Sequence, residues 1–269
     1  MSAIELIGYF SAAVIGFSLG LIGGGGSILT VPALVYLVGT DPVLSTSYSL
    51  FTVGAAALVG SFNYMKQGLV SYRTALVFAV PSLTAVYITR RWIVPAIPEE
   101  IAHWGDFVLT KNIAVMVFFA ILMAVASFSM IYSAKKPAAD KGQEAIRFNY
   151  PLILLEGAVV GVLTGLVGAG GGFLIIPALV LLAKLPMKLA IGTSLLIIAA
   201  KSLIGFVGDI GVQPIEWTFL LVFTTIAVVG IFAGTYVSRF VASQNLKVGF
   251  GWFVLAMSVF IIVNELIIT

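Results

Sequence analysis

The chain has 269 residues, of which 61% are hydrophobic and only 9% charged, with a net charge of +3 and a mean hydropathy of +1.15. A soluble domain carries about 25% charged residues, so this chain lacks the polar surface to face water. Its solvent is lipid, and its class is an all-α polytopic membrane protein. The absence of cysteine and the single histidine, His103, exclude disulfides, thiolate chemistry and a multi-histidine metal centre. No cofactor or metal is implied, and no soluble domain is available to carry a basic patch for nucleic acid.

In chain order, residues 1–22 read as a retained membrane helix. They contain Glu5, no Lys or Arg and no small-residue cleavage site. "LIGGGGSILTVPAL" follows at 21–34, so the first element, about 4–38, is broken by four glycines and a proline. Apolar runs at 42–64, 72–92 and 111–133 come next, then a polar linker, "AKKPAADKGQEAIRFN", at 134–149. A second broken element occupies 150–183, followed by runs at 186–208, 216–238 and 246–268. Runs of this length cross a hydrocarbon core of about 30 Å at about 1.5 Å per residue.

The two broken elements are copies. At a shift of 145, eleven of the twenty residues in 16–35 match 161–180: Gly16, Gly20, Leu21, Gly23, Gly25, Gly26, Leu29, Pro32, Ala33, Leu34 and Val35. The same register carries Ser49-Leu50 onto Ser194-Leu195, Gly60 onto Gly205 and "LVF" at 76–78 onto "LVF" at 221–223. The expected organisation is a first membrane repeat at 1–133, a linker at 134–149 and a second repeat at 150–269.

Lys and Arg mark cytoplasmic loops. Lys135, Lys136, Lys141 and Arg147 place the linker inside, with Lys66, Arg73, Lys184, Lys188, Arg239 and Lys247 on the same side. Both termini and the acidic 93–110 loop fall outside; Arg90 and Arg91 disagree. Each half then crosses an odd number of times, which inverts one repeat against the other, a recurring plan of secondary transporters.

Backbone inside a bilayer must be hydrogen-bonded or line a cavity. The expected unwound segments are 23–26 and 168–172, with half-helices starting near Ser27 and Phe173. A helix start offers free N–H groups and about half a positive charge, and glycine admits a close ligand. Gly23, Gly24, Gly25, Gly26, Ser27, Gly168, Gly170, Gly171 and Gly172 are therefore candidate anion-binding positions; tight helix packing is the competing explanation. Gly16, Gly20, Gly161 and Gly165 read as packing seams.

Lys201, in "LLIIAAKSLIGF", is a charge deep in a span and points to function. Ser194 shares its helical face, and Ser49, Thr52 and Asn63 mark the corresponding stripe of the first half. The alternative for Lys201 is snorkelling towards Asp209 or lipid headgroups. Ser49 and Ser194 could instead bond carbonyls of their own helices. Glu156, the one carboxylate expected inside a span, is a possible proton carrier or an interfacial group. His103 is expected to be solvated, and the tryptophans to form an interfacial belt.

The doubled "GxGGGxxxxPAL" element, with each copy followed by a Ser-Leu helix, resembles the TauE/SafE sulfite exporter family, also called the toluenesulfonate uptake permeases. "LVGAGGGFLIIPAL" with "AIGTSLLIIAAKSLIG" carries the resemblance most strongly. It implies a transporter of sulfur-containing anions such as sulfite, sulfoacetate or thiosulfate, in the inner (plasma) membrane. The residues alone lead to a small anion. The expectation is a secondary exporter working by alternating access, with the lipid bilayer as its surroundings and an oligomeric state left open. Proton-coupled sulfonate or thiosulfate uptake and a passive anion channel are the alternatives within transport. An intramembrane enzyme lacks paired carboxylates or a Ser–His pair in the spans, and a purely structural subunit gains nothing from duplicated helix breaks.

Overall fold

A computed structural model of the chain describes residues 3–104, 107–135, 150–181, 185–237, 240 and 243–268. Most of the expected linker, from 136 to 149, lies outside these residues. The first half comprises α1 (Ala3–Ile22), a tight 3-10 segment (Gly23–Leu29), α2 (Thr30–Pro32) running into a π-helical stretch (Ala33–Val38), α3 (Pro42–Lys66) and α4 (Tyr72–Ile88). A π-helical turn (Thr89–Ile93), α5 (Val94–Ala96), a hairpin of β1 (Glu100–Trp104) and β2 (Phe107–Thr110), and α6 (Lys111–Lys135) complete it. The second half comprises α7 (Tyr150–Val167), α8 (Gly172–Leu181), α9 (Met187–Asp209), α10 (Trp217–Val237) and α11 (Ser243–Val263), ending in a π-helical turn (Asn264–Ile268). Four helical stretches among the described residues are long and apolar enough to cross a membrane: Pro42–Lys66, Lys111–Ser129, Lys188–Asp209 and Trp217–Val237. α4 has 17 residues, carries Pro81 inside it and runs directly into the π-helical turn Thr89–Ile93.

Small residues set the helix packing. With no hydrophobic drive between helices in lipid, close approach depends on small side chains. α1 lies against α10, where a methyl on Gly16 would overlap the Ala227 carbonyl and one on Gly20 the Ile231 carbonyl. α7 lies against α4 in the same way: a methyl on Gly161 would sit 2.6 Å from the Ser82 carbonyl, and one on Gly165 would sit 2.8 Å from Thr89. At a shift of 145, Gly16 becomes Gly161 and Ala227 becomes Ser82. The first helix of each half thus packs on the third long helix of the other half.

The twin helices α3 and α9 pack on each other and run antiparallel. Gly54 meets Leu203, Gly192 meets Tyr64 and Leu69, and Phe51 stacks near Phe206 with ring centroids 4.9 Å apart. As the number rises along α3 it falls along α9, so this contact maps onto itself when the halves are exchanged. Its midpoint lies near Ala56 and Lys201. α6 and α11 form a separate pair, joined by the Ser127 hydroxyl donating to the Gly251 carbonyl at 2.7 Å.

The structure differs from the sequence expectation in two elements. The 93–110 loop contains the antiparallel hairpin, whose "EIAHW" and "FVLT" segments combine β-branched and aromatic residues that favour strands. The first glycine run does not unwind. It tightens into the 3-10 segment, where the Ser27 hydroxyl donates to the Gly24 carbonyl at 2.8 Å, and the α-helix begins at Thr30, not at Ser27.

Gly16→Leu and Gly161→Leu should each push two helices apart. The expected cost is about 1–3 kcal/mol or more, as for overpacking of a dense interior. The measurement is thermal unfolding in detergent. Gly249→Ala, with nothing within 4 Å of an added methyl, should be neutral or mildly stabilising; equal losses in all three variants would remove the packing account.

Candidate anion site at the crossing of the glycine breaks

The second break is a true unwinding. Gly168, Gly170 and Gly171 have φ of 72°, 64° and 67°, a left-handed conformation that side-chain-bearing residues rarely adopt. α8 restarts at Gly172, and the Leu174 and Ile175 N–H groups both donate to the Gly171 carbonyl at 3.0 Å. The two breaks touch: a methyl on Gly24 would lie 2.8 Å from Gly172 Cα, and one on Gly172 would overlap the Gly24 carbonyl. Only glycine at both positions allows this crossing. α3 and α9 flank it, with Gly168 against Thr46 and Gly170 against Val53 and Ile198.

Lys201 lies in this crossing. It is fully buried, and its Nζ donates to Thr164 Oγ1 at 3.0 Å while standing beside Gly171. Thr164 passes its own hydrogen bond to the Val160 carbonyl at 2.7 Å. An ammonium has three donors, and only this one bond is made within the described residues. None of the ion pairs among them involves Lys201. Snorkelling to Asp209 does not occur, because Asp209 is taken by Arg90.

Four buried hydroxyls, those of Thr30, Ser49, Ser82 and Ser202, are also unsatisfied among the described residues. Ser49 shares the α3 face of Thr46 and Val53, the residues that pack on Gly168 and Gly170. Ser202 follows Lys201 directly. Buried polar groups are normally hydrogen-bonded; Lys201, with a single acceptor in Thr164, stands beside a left-handed glycine, Gly171.

The second cluster is the reverse case. Arg90 is fully buried, and all five of its N–H donors are used. Nε donates to Asp209 Oδ2 at 2.9 Å, Nη2 to the same oxygen and to Ser47 Oγ at 2.7 Å, and Nη1 to Thr46 Oγ1 at 2.8 Å and the Gly165 carbonyl at 3.2 Å. A saturated guanidinium offers nothing to a ligand.

The remaining sequence candidates sit elsewhere. Thr52 shares a hydrogen bond with Thr224 at 2.9 Å in the α3–α10 contact. Asn63 accepts from Gln67 at 3.0 Å and lines a cleft of about 490 Å³ between α3 and α10 with Gly60, Lys66, Ile231 and Thr235. The Ser194 hydroxyl donates to the Ile191 carbonyl in its own helix at 2.8 Å. Glu156 is half-buried on α7 and is not the only carboxylate withdrawn from water: Asp209 and Glu265 are buried, the latter accepting from the Tyr36 hydroxyl at 2.8 Å. Both of these acids stand at helix ends. Thr164, Ser202 and the Arg90 cluster were not singled out from the sequence. His103 is exposed beside Glu100 at 3.1 Å.

Comparison with known proteins decides the family. The family model described as sulfite exporter TauE/SafE matches residues 9–261. The chain belongs to the TauE/SafE family. It is 31% identical over 260 residues to a probable membrane transporter protein of Xylella fastidiosa strain 9a5c, covering 94% of this chain and 92% of that one. It is 26% identical over 251 residues to the probable membrane transporter protein YunE of Bacillus subtilis, covering 84% and 85%. No solved structure matches it. This TauE/SafE protein is accordingly a membrane transporter.

In this TauE/SafE protein, Thr164→Val should leave the Lys201 ammonium without its one acceptor. The expected destabilisation is about 1–3 kcal/mol, read as a lowered melting temperature in detergent. Thr164→Ser, which keeps the hydroxyl, should recover most of the loss; an equal loss in both variants would remove the hydrogen bond as its cause.

Proposed function

We propose that the protein exports a small sulfur-containing anion, sulfite or an organosulfonate such as sulfoacetate, by alternating access, as a carrier with no catalytic step. The observation that carries the reading is Lys201: a buried, uncompensated cation at the contact of two glycine breaks. The sulfur chemistry rests on the family description. The anion would accept from Lys201 Nζ, the Ser49 and Ser202 hydroxyls and N–H groups at the start of α8. Each half is read as one repeat, 1–133 and 150–269, joined by the 134–149 linker. The antiparallel run of α3 and α9 supports an inverted relation between them.

The charge distribution supports an inner-membrane placement with the linker in the cytoplasm and both termini outside. Of the two residues that oppose it, Arg90 is buried on Asp209 and carries no loop signal, while Arg91 is exposed and still opposes it. Export suits a dianion. At −100 mV inside, each charge leaving the cell gains about 2.3 kcal/mol, so two charges gain about 4.6 kcal/mol, over a thousandfold in gradient. No coupling ion is then required.

Two tests follow. Lys201→Ala should weaken sulfoacetate binding about 10- to 100-fold, the loss of one charged hydrogen bond at about 1.5–3 kcal/mol, and Lys201→Arg should weaken it less; equal affinities close to the parent would remove Lys201 from the site. In proteoliposomes loaded with the anion, efflux from chains facing as in the cell should accelerate with a potassium–valinomycin potential, negative inside. Efflux that ignores the potential, follows a pH gradient and loses that response in Glu156→Gln would replace uniport by proton coupling.

A further inference from the structure

The two halves share a fold but not a closure. At a shift of 145, Arg90 corresponds to Thr235 and Asp209 to Tyr64. The residues that form a saturated ion-pair network at one end therefore have no charged counterpart at the other. There, Thr235 lines the cleft of about 490 Å³ between α3 and α10. One end of the fold is tied by charge, whereas the equivalent place at the opposite end is packed, with Gly192 against Tyr64 and the Leu69 carbonyl.

The ties join the elements that surround the anion site. Thr46 and Ser47 come from α3, Arg90 from the turn after α4, the Gly165 carbonyl from α7 and Asp209 from the end of α9. Thr46 also packs on Gly168, the first residue of the unwound segment. Asp209 stands eight residues beyond Lys201 on α9, about 12 Å along the helix axis. The network thus lies between Lys201 and the face that carries the β1–β2 hairpin, Asp41 and Glu99.

We propose that the Arg90–Asp209 network is the gate of the hairpin face, closed in this structure, and that its rupture is the step that opens the anion site to that side. The inference rests on the carrier reading of the site. Five hydrogen bonds to one guanidinium give a closed state with a defined geometry, and a buried ion pair is strongly destabilised when one partner is lost. Such a contact switches between made and broken, with little between.

The chain has no cysteine, so one introduced thiol is a unique reporter. Ser202→Cys places it beside Lys201. Glu100→Cys, at an exposed hairpin position, identifies in a parallel preparation the vesicles whose hairpin face is outward. A membrane-impermeant methanethiosulfonate is added outside. In S202C alone the thiol should react slowly from the hairpin face. Adding Asp209→Asn, or Thr46→Ala with Ser47→Ala should Asp209→Asn fail to fold, should raise that rate at least tenfold. Unchanged rates in whichever of these variants elutes as a folded protein would overturn the gate. A raised rate keeps the gate; the anion site is tested separately on chains that retain Ser202, where sulfoacetate affinity unchanged by Lys201→Ala would reject it, so the two failures are distinguishable.

Discussion

A lysine fully buried with one neutral acceptor is the constraint around which the rest of this protein is arranged. Burying an ion without a partner costs several kcal/mol, and the fold could have spared that cost with the alanine that occupies the equivalent place, Ala56. It instead spends its stability on Lys201 and stacks two glycine breaks against it. The tight seams of α1 on α10 and α7 on α4, and the antiparallel α3–α9 pair, hold the breaks in contact. Without Gly24 and Gly172 the crossing could not form, and the ammonium would have no ligand-sized neighbour but Thr164.

Duplication builds the frame, and departure from it builds the function. Gly26 and Gly171 occupy equivalent places, each against the preceding helix. Gly26 meets Ser18 and Leu19, whereas Gly171 meets Thr164 and Lys201. Three differences set this contact in the second half apart from its counterpart: lysine for Ala56, threonine for Leu19 and serine for Ala57. The Arg90–Asp209 cluster breaks the symmetry again at one end. In the carrier reading the two faces must differ, and these departures supply the difference.

Much of this was legible before any coordinates. The ungapped repeat, the glycine runs and the buried lysine all stand in the sequence, because a bilayer makes helix breaks and charges costly enough to stand out. The parts that were hidden depend on tertiary contact. Thr164 reads as an ordinary helix-interior threonine until Lys201 reaches it from another helix. Arg90 and Asp209 look like loop charges, since nothing local tells that they meet across 119 positions. Thr52 and Asn63 lie on the helical stripe drawn through Ser49, yet α3 is flanked on several sides, and its turn towards α10 takes both residues away from the glycines. Ser194 follows the local carbonyl alternative, donating to Ile191 in its own helix.

The most direct measurement is the structure of the protein in lipid nanodiscs with saturating sulfoacetate, by electron cryo-microscopy. The account predicts one anion per chain, its sulfonate within hydrogen-bond distance of Lys201 Nζ and beside Gly171 and Gly172. Anion density in the α3–α10 cleft or on the Arg90 cluster, with the Lys201 crossing unchanged, would contradict it.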